Sequence, residues 1–225
     1  MLEINDLTYA VDNHTILDRI SFTIPEHTVT AIVGPNGVGK TTTVQLLSSI
    51  LPSNNESILS LLKSKKVMYL DLEYLVFDEL TTHEFIQLVS SYQRKSPTAV
   101  TELLRYFEPL NMTSFLDTRL KGLSLGQKQK LIILLGFLSN ADVLIFDEPF
   151  NGLDYKSERY FKKLLKENRY RFTIIITTHN FNELDTYTSK CILLKDKHHL
   201  IELENTNAHE YKVAIQQHLE LEQEL

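Results

Sequence analysis

Cysteine occurs once in this 225-residue chain and tryptophan not at all, and glycine and proline are sparse at seven and six. A single thiol forms no internal disulfide, so apolar burial must hold the fold. Cys191, inside the apolar run Cys191-Ile192-Leu193-Leu194, reads as a packed structural thiol in a reducing compartment. Basic charge is not in excess, since 23 Lys and Arg stand against 29 Asp and Glu for a net charge of −6. That balance argues against a nucleic-acid groove, and Lys63-Ser64-Lys65-Lys66 reads as a solvated loop. Long hydrophobic runs are missing as well: the apolar stretch at residues 131–138 falls far short of the roughly 18 residues that span a bilayer. Met1-Leu2-Glu3-Ile4-Asn5-Asp6 lacks the basic-then-apolar form of a secretory signal. His198-His199 lies in a polar turn without further metal ligands nearby in sequence, so no metal site is expected there.

What is present is concentrated. Gly34-Pro35-Asn36-Gly37-Val38-Gly39-Lys40-Thr41-Thr42 fits the Gly-x-x-x-x-Gly-Lys-Thr pattern of a phosphate-binding P-loop. The apolar run Val29-Thr30-Ala31-Ile32-Val33 before it reads as a buried strand, and residues 41–50 after it read as a helix. Glycines at such a strand-to-helix turn let successive N–H groups point inward as an anion nest, with the helix N-terminus adding partial positive charge. Lys40 is expected to reach the β- and γ-phosphates and Thr41 to hold Mg²⁺.

Period-2 alternation predicts strands over residues 2–9 and 21–24, which would form an antiparallel edge. From residue 82 to 138 the pattern becomes helical, with Phe85, Leu88, Val89 and Tyr92 on one face and Val100, Leu103, Leu104 and Phe107 on another. Three apolar runs follow, at residues 143–146, 173–176 and 190–194, and read as buried, largely parallel strands, with residues 155–168 helical between the first two. The tail, residues 209–225, reads as an acidic amphipathic helix. The expected fold is α/β, with a mostly parallel sheet, an antiparallel β edge subdomain and an inserted helical subdomain. It is one domain, with residues 1–81 and 139–225 as core and 82–138 as the helical insert.

Val143-Leu144-Ile145-Phe146-Asp147-Glu148-Pro149 delivers two carboxylates to the C-terminal end of a buried strand. Asp147 would serve the Mg²⁺ shell, and Glu148 would accept a proton from the water that attacks the γ-phosphate.

Leu123-Ser124-Leu125-Gly126-Gln127 precedes that strand, and Asn151-Gly152-Leu153-Asp154 and Thr177-Thr178-His179 follow it. In this order the motifs resemble the P-loop, Leu-Ser-Gly-Gly-Gln signature, acidic strand, D-loop and switch histidine of the ATP-binding subunit of an ABC transporter, over nearly the whole chain. The resemblance implies ATP and Mg²⁺ as cofactors and a composite site in which the P-loop of one subunit and the signature of another clamp one nucleotide. The dimer could pair identical or different ATPase subunits. Ser124, Gly126, Gln127 and Asp154 would serve the partner's nucleotide, and His179 would contact the γ-phosphate and help position the water. It further implies a separately encoded transmembrane permease and a peripheral position at the cytoplasmic face of the membrane.

Four departures from the family pattern stand out. Leu125 replaces the first signature glycine, which resembles export and immunity members and leads to the expectation of an exporter of peptides, lipids or drugs. If that position needs positive φ, Leu costs about 1 kcal/mol or more. Leu72 falls where the family carries its Q-loop glutamine, flanked by Asp71 and Glu73. The segment from Lys40 to Tyr69 is short, with a reduced hairpin expected around residues 54–62. The adenine-stacking aromatic is displaced, with Val11 at its position and Tyr9 two residues earlier. A soluble ABC-type ATPase and a weakly hydrolysing, ATP-dependent dimerisation switch remain as alternatives.

Overall fold

β-branched residues crowd the apolar runs, and in a computed structural model of the chain those runs become the strands of one central sheet. The structure describes residues 1–180 and 184–205, and beyond them 209, 211, 213, 214, 216 and 217, with the side chains of 74 and 185 excepted. The amphipathic helix expected for the tail therefore lies largely outside the described residues.

The strands β1 (Leu2–Val11) and β2 (His14–Ile24) form an antiparallel two-stranded sheet. The second sheet has six strands in the order β4-β5-β6-β3-β7-β8: β3 (Val29–Val33), β4 (Val67–Leu70), β5 (Val143–Phe146), β6 (Thr173–Thr178), β7 (Lys190–Leu194) and β8 (Leu200–Glu204). All its pairings are parallel except β7 with β8. Alternate residues of these strands feed two separate cores, as a sheet covered on both faces requires. Ala31, Val33, Phe146, Ile174, Ile176 and Leu193 enter one, while Ile32, Ile145, Ile175, Ile192 and Leu194 enter the other.

The second core is closed by the β1–β2 sheet together with α1 (Lys40–Leu47) and α2 (Glu56–Ser64), through residues such as Leu17, Val44, Ile58 and Leu61. The helix α2 corrects the expected hairpin over residues 54–62. Asn55 accepts hydrogen bonds from the Ser57 and Ile58 N–H groups at 3.1 and 3.3 Å, which caps a helix there. Ile58 and Leu61, three residues apart, then share one buried face.

Between β4 and β5 the chain runs through α3 (Thr82–Tyr92), α4 (Pro97–Tyr106) and α5 (Leu125–Leu138), and α6 (Tyr155–Asn168) follows β5. Reciprocal bonds between Thr81 and Glu84 start α3, and Ser96 with Pro97 at the first helical position starts α4. A cluster of phenylalanine rings joins these helices to the sheet. Phe137 of α5 is 2% exposed and lies 5.7 Å from Phe107, 6.2 Å from Phe146 and 5.9 Å from Phe172, centroid to centroid. Because this one ring touches the helical segment, a strand and the approach to β6, Phe137→Ala is expected to cost about 3–5 kcal/mol. Urea unfolding followed by circular dichroism checks it, and a midpoint equal to that of the unaltered chain would show that the cluster adds little.

Candidate nucleotide site

The C-terminal ends of parallel strands are where loops and helix N-termini converge on a ligand. Here β6 lies between β3 and β5, so the segment after it separates the P-loop from the acidic pair. Phe146 pairs with Ile176, which brings the next residues, Asp147 and Thr177, abreast.

The P-loop leaves β3 at Gly34, with φ of 151°. A Cβ there would stand 2.3 Å from the Leu194 carbonyl oxygen, so the loop hugs the end of β7 in a way only glycine permits. Lys40, 6% exposed, donates from Nζ to the carbonyl oxygens of Gly34 at 2.9 Å and Pro35 at 3.0 Å. Burial draws its ammonium below the ordinary lysine pKa, while the charges of Glu148 and Asp147 act the other way. The loop residues Pro35, Asn36, Gly37, Val38, Gly39, Lys40, Thr41 and Thr42 line a cavity of about 900 Å³, and Glu148 lines it too.

One hydroxyl orients both acids. Thr177 Oγ1 donates a short hydrogen bond to Asp147 Oδ1 and accepts the Glu148 N–H at 2.8 Å. Glu148 itself has φ of 46°, in the left-handed region, so that amide bond helps hold a backbone that a non-glycine residue adopts at a cost. Its Oε2 lies 3.0 Å from His179 Nδ1. The second oxygen of Asp147 accepts from the Tyr69 hydroxyl at 2.9 Å. The donor set suits the expected cofactors: backbone amides and a lysine for phosphate, with the Thr41 hydroxyl and the Asp147 carboxylate as hard oxygen ligands for Mg²⁺. The loop is also open at Gly37, where a Cβ would meet no atom within 4 Å.

The signature residues stand together elsewhere. Ser124 caps α5 in a reciprocal pair with Gln127, Ser124 N–H to Oε1 at 2.9 Å and Gln127 N–H to Oγ at 3.3 Å. A Cβ on Gly126 would lie 2.5 Å from the Gly152 carbonyl oxygen, so the signature packs directly on the loop that carries Asp154. Asp154 in turn accepts from the Ser157 N–H at 2.9 Å and from Lys130 Nζ at 3.1 Å, which hold its carboxyl down at about 2. Among the described residues, Ser124, Gly126, Gln127 and Asp154 are not part of the cavity lining.

Two expectations change. Leu125 is not among the positive-φ residues; it opens α5 with its side chain 52% exposed, so the leucine carries no left-handed strain. Tyr9 packs against the smaller core and is absent from the cavity lining, to which His14, Thr15 and Ile16 from β2 and residues 195–197 from the β7–β8 turn contribute instead. Leu72 packs on the larger core, while Asp71 caps the short turn Leu72–Tyr74, its Oδ1 accepting the Glu73 N–H at 2.8 Å. Thr177 and Tyr69 escape a sequence reading as site residues because they lie 30 and 78 positions from Asp147. The available signals are that each sits near the end of an apolar strand and that Thr177 stands two residues before His179.

The family model described as ABC transporter matches residues 17–151, more than half of the chain. The manganese transport system ATP-binding protein MntB of Listeria monocytogenes is 30% identical over 212 residues, covering 87% of each chain. A probable iron chelatin transport ATP-binding protein of Helicobacter pylori is 26% identical over 216 residues, covering 88% of this chain and 84% of its own. Among solved structures, an ATP-binding subunit of an ABC transporter superposes with a TM-score of 0.76 at 22% identity, over 90% of this chain and 89% of that one. The cassette MJ0796 in a dimeric post-hydrolysis state with ADP and Pi also reaches 0.76, at 20% identity over 92% of this chain and 100% of its own. None of these relatives is described as an exporter, so the export and immunity subtype drawn from Leu125 finds no support among them. A P-loop, an acidic strand end and a capped signature helix on an α/β sheet, matched along most of the chain, make this protein a member of the ABC transporter family, an ATP-binding subunit that hydrolyses ATP with Mg²⁺.

Proposed function

We propose that the chain powers a separately encoded membrane permease as one half of an ATP-clamped dimer. The observation that carries this reading is Glu148, held against His179 at 3.0 Å on the wall of the P-loop cavity. In that position its carboxylate can take the proton of an attacking water, with His179 beside it as a γ-phosphate contact. Lys40 and the loop amides carry the phosphate charge, and Thr41 and Asp147 hold the cation. When bound, Mg²⁺ neutralises charge on the transferring phosphoryl group.

Ser124, Gly126, Gln127 and Asp154 complete the site of a second copy in this proposal. Their separation from the cavity within one chain supports it, because a closed site then needs two subunits. Filling two such sites draws the copies together and hydrolysis releases them, so chemistry becomes a change of spacing that a permease can use.

The permease would dock beside the segment that follows β4. Val76 and Phe77 are 67% and 49% exposed there, and the Phe77 ring leans on Phe85 of α3 at 5.8 Å. No helix among the described residues is long and apolar enough to cross a membrane, which suits a peripheral subunit held at the cytoplasmic face by its partner. Cargo belongs to the permease. The relatives named for a cargo handle an iron chelate, manganese or zinc, so metal uptake is the first transport reading to test. Export of a peptide, lipid or drug is the second, favoured by Leu125 alone.

Three outcomes follow. Glu148→Gln should lower single-turnover hydrolysis at least about a hundredfold while ATP still binds, whereas Lys40→Ala should weaken binding itself. Nucleotide titration and quenched-flow rates check both, and unimpaired hydrolysis by Glu148→Gln would sink the assigned role. Gly126→Ala, which drives a methyl group into the Gly152 carbonyl, should abolish steady-state hydrolysis and ATP-induced dimerisation yet leave ATP binding to the single chain intact. Sedimentation velocity with and without ATP decides that. A cysteine at Phe77 should crosslink to a copurified integral membrane protein. A chain that fractionates as soluble and captures no such protein supports a soluble ABC-type ATPase instead.

A further inference from the structure

The phenol of Tyr69 stands where three parts of the site meet. Its ring is buried in the smaller core at the end of β4, so the hydroxyl is a fixed point and not a roaming side-chain tip. That hydroxyl donates to Asp147 Oδ2 at 2.9 Å and also lies 3.3 Å from Asp71 Oδ2. The Gln45 side chain, on the helix that opens with Lys40 and Thr41, bonds the same phenol. A phenol carries one donor hydrogen. Two carboxylates compete for it, one in the metal site and one in the segment leading to the exposed Val76 and Phe77.

We propose that Tyr69 is a positioning residue that links occupancy of the metal site to the segment at residues 71–77. With Asp147 free, the shorter bond keeps the phenol's hydrogen directed at Asp147. When a cation draws on the Asp147 oxygens, that carboxylate becomes a weaker acceptor and Asp71 the stronger one. The phenol then turns its hydrogen to Asp71, whose other oxygen caps the turn Leu72–Tyr74. Two bond arrangements of one buried hydroxyl thus give the docking segment two states, biased by the metal site. Leu72 contributes packing on the larger core and no polar contact to this link.

The inference rests on the ATPase reading above, and two variants of the full-length chain test it apart from that reading. Mn²⁺ affinity of the ATP-loaded protein is read from the free-ion paramagnetic resonance signal. ATP affinity in EDTA is read by calorimetry, and the response to ATP and Mg²⁺ at residues 71–77 by amide hydrogen exchange. Tyr69→Phe should leave ATP binding in EDTA unchanged and erase the exchange response. Asp71→Asn keeps an oxygen to cap the turn but removes the acceptor to which the phenol would swing, so the exchange response should be lost and Mn²⁺ binding weakened about five- to a hundredfold. If Tyr69→Phe does not fold, Asp71→Asn alone carries the test. A full exchange response in either variant, or wild-type Mn²⁺ affinity in Asp71→Asn, overturns the proposal while the ATPase reading stands. A wild-type chain that binds no ATP overturns both.

Discussion

The Thr177 hydroxyl is the contact on which the geometry of the site turns. It gives its hydrogen to Asp147 and receives the amide of Glu148, so a single atom on β6 sets both acids at the end of β5. This is possible only because β6 runs between β3 and β5 and pairs Ile176 with Phe146. A shift of one residue in that register would turn Thr177 to the other face of the sheet and leave the Glu148 amide without its acceptor. Correct register is enforced in turn by the two apolar cores, which accept alternate residues of the same strands.

Such an arrangement seats the acids and the signature residues in different parts of the fold. The acids and P-loop are built on strands buried from both sides. Ser124 and Gly126 stand at the start of α5, tied to the rest through the Gly152 carbonyl and the Lys130–Asp154 pair. Lys130–Asp154 is a partly exposed ion pair and adds little stability. Its value is orientation, since it holds the Asp154 loop against α5.

Much of this was legible in the sequence wherever function demands a local pattern. The P-loop, the acid pair and the signature are contiguous residues whose chemistry depends on fixed spacing, and the fold class follows from the apolar runs between them. What was illegible is non-local. Tyr69 and Thr177 join the site through strand order, and no spacing rule links them to Asp147. The family pattern also misled in one place: it led to a reduced hairpin around residues 54–62, where the Asn55 cap and the Ile58 and Leu61 positions instead suit the helix Glu56–Ser64. The leucine in the signature looked strained for want of backbone angles, and it sits in an ordinary helical first turn. A subfamily inferred from that one residue finds no support among relatives matched along nearly the whole chain.

Thr177→Val tests the central contact most directly, since it keeps the buried shape and β-branching while removing only the hydroxyl. Measured at saturating ATP and Mg²⁺, kcat should fall about ten- to a thousandfold, with ATP affinity near that of the unaltered chain and the fold intact by circular dichroism. A folded Thr177→Val protein that hydrolyses ATP at the unaltered rate would contradict the claim that this hydroxyl sets the two acids.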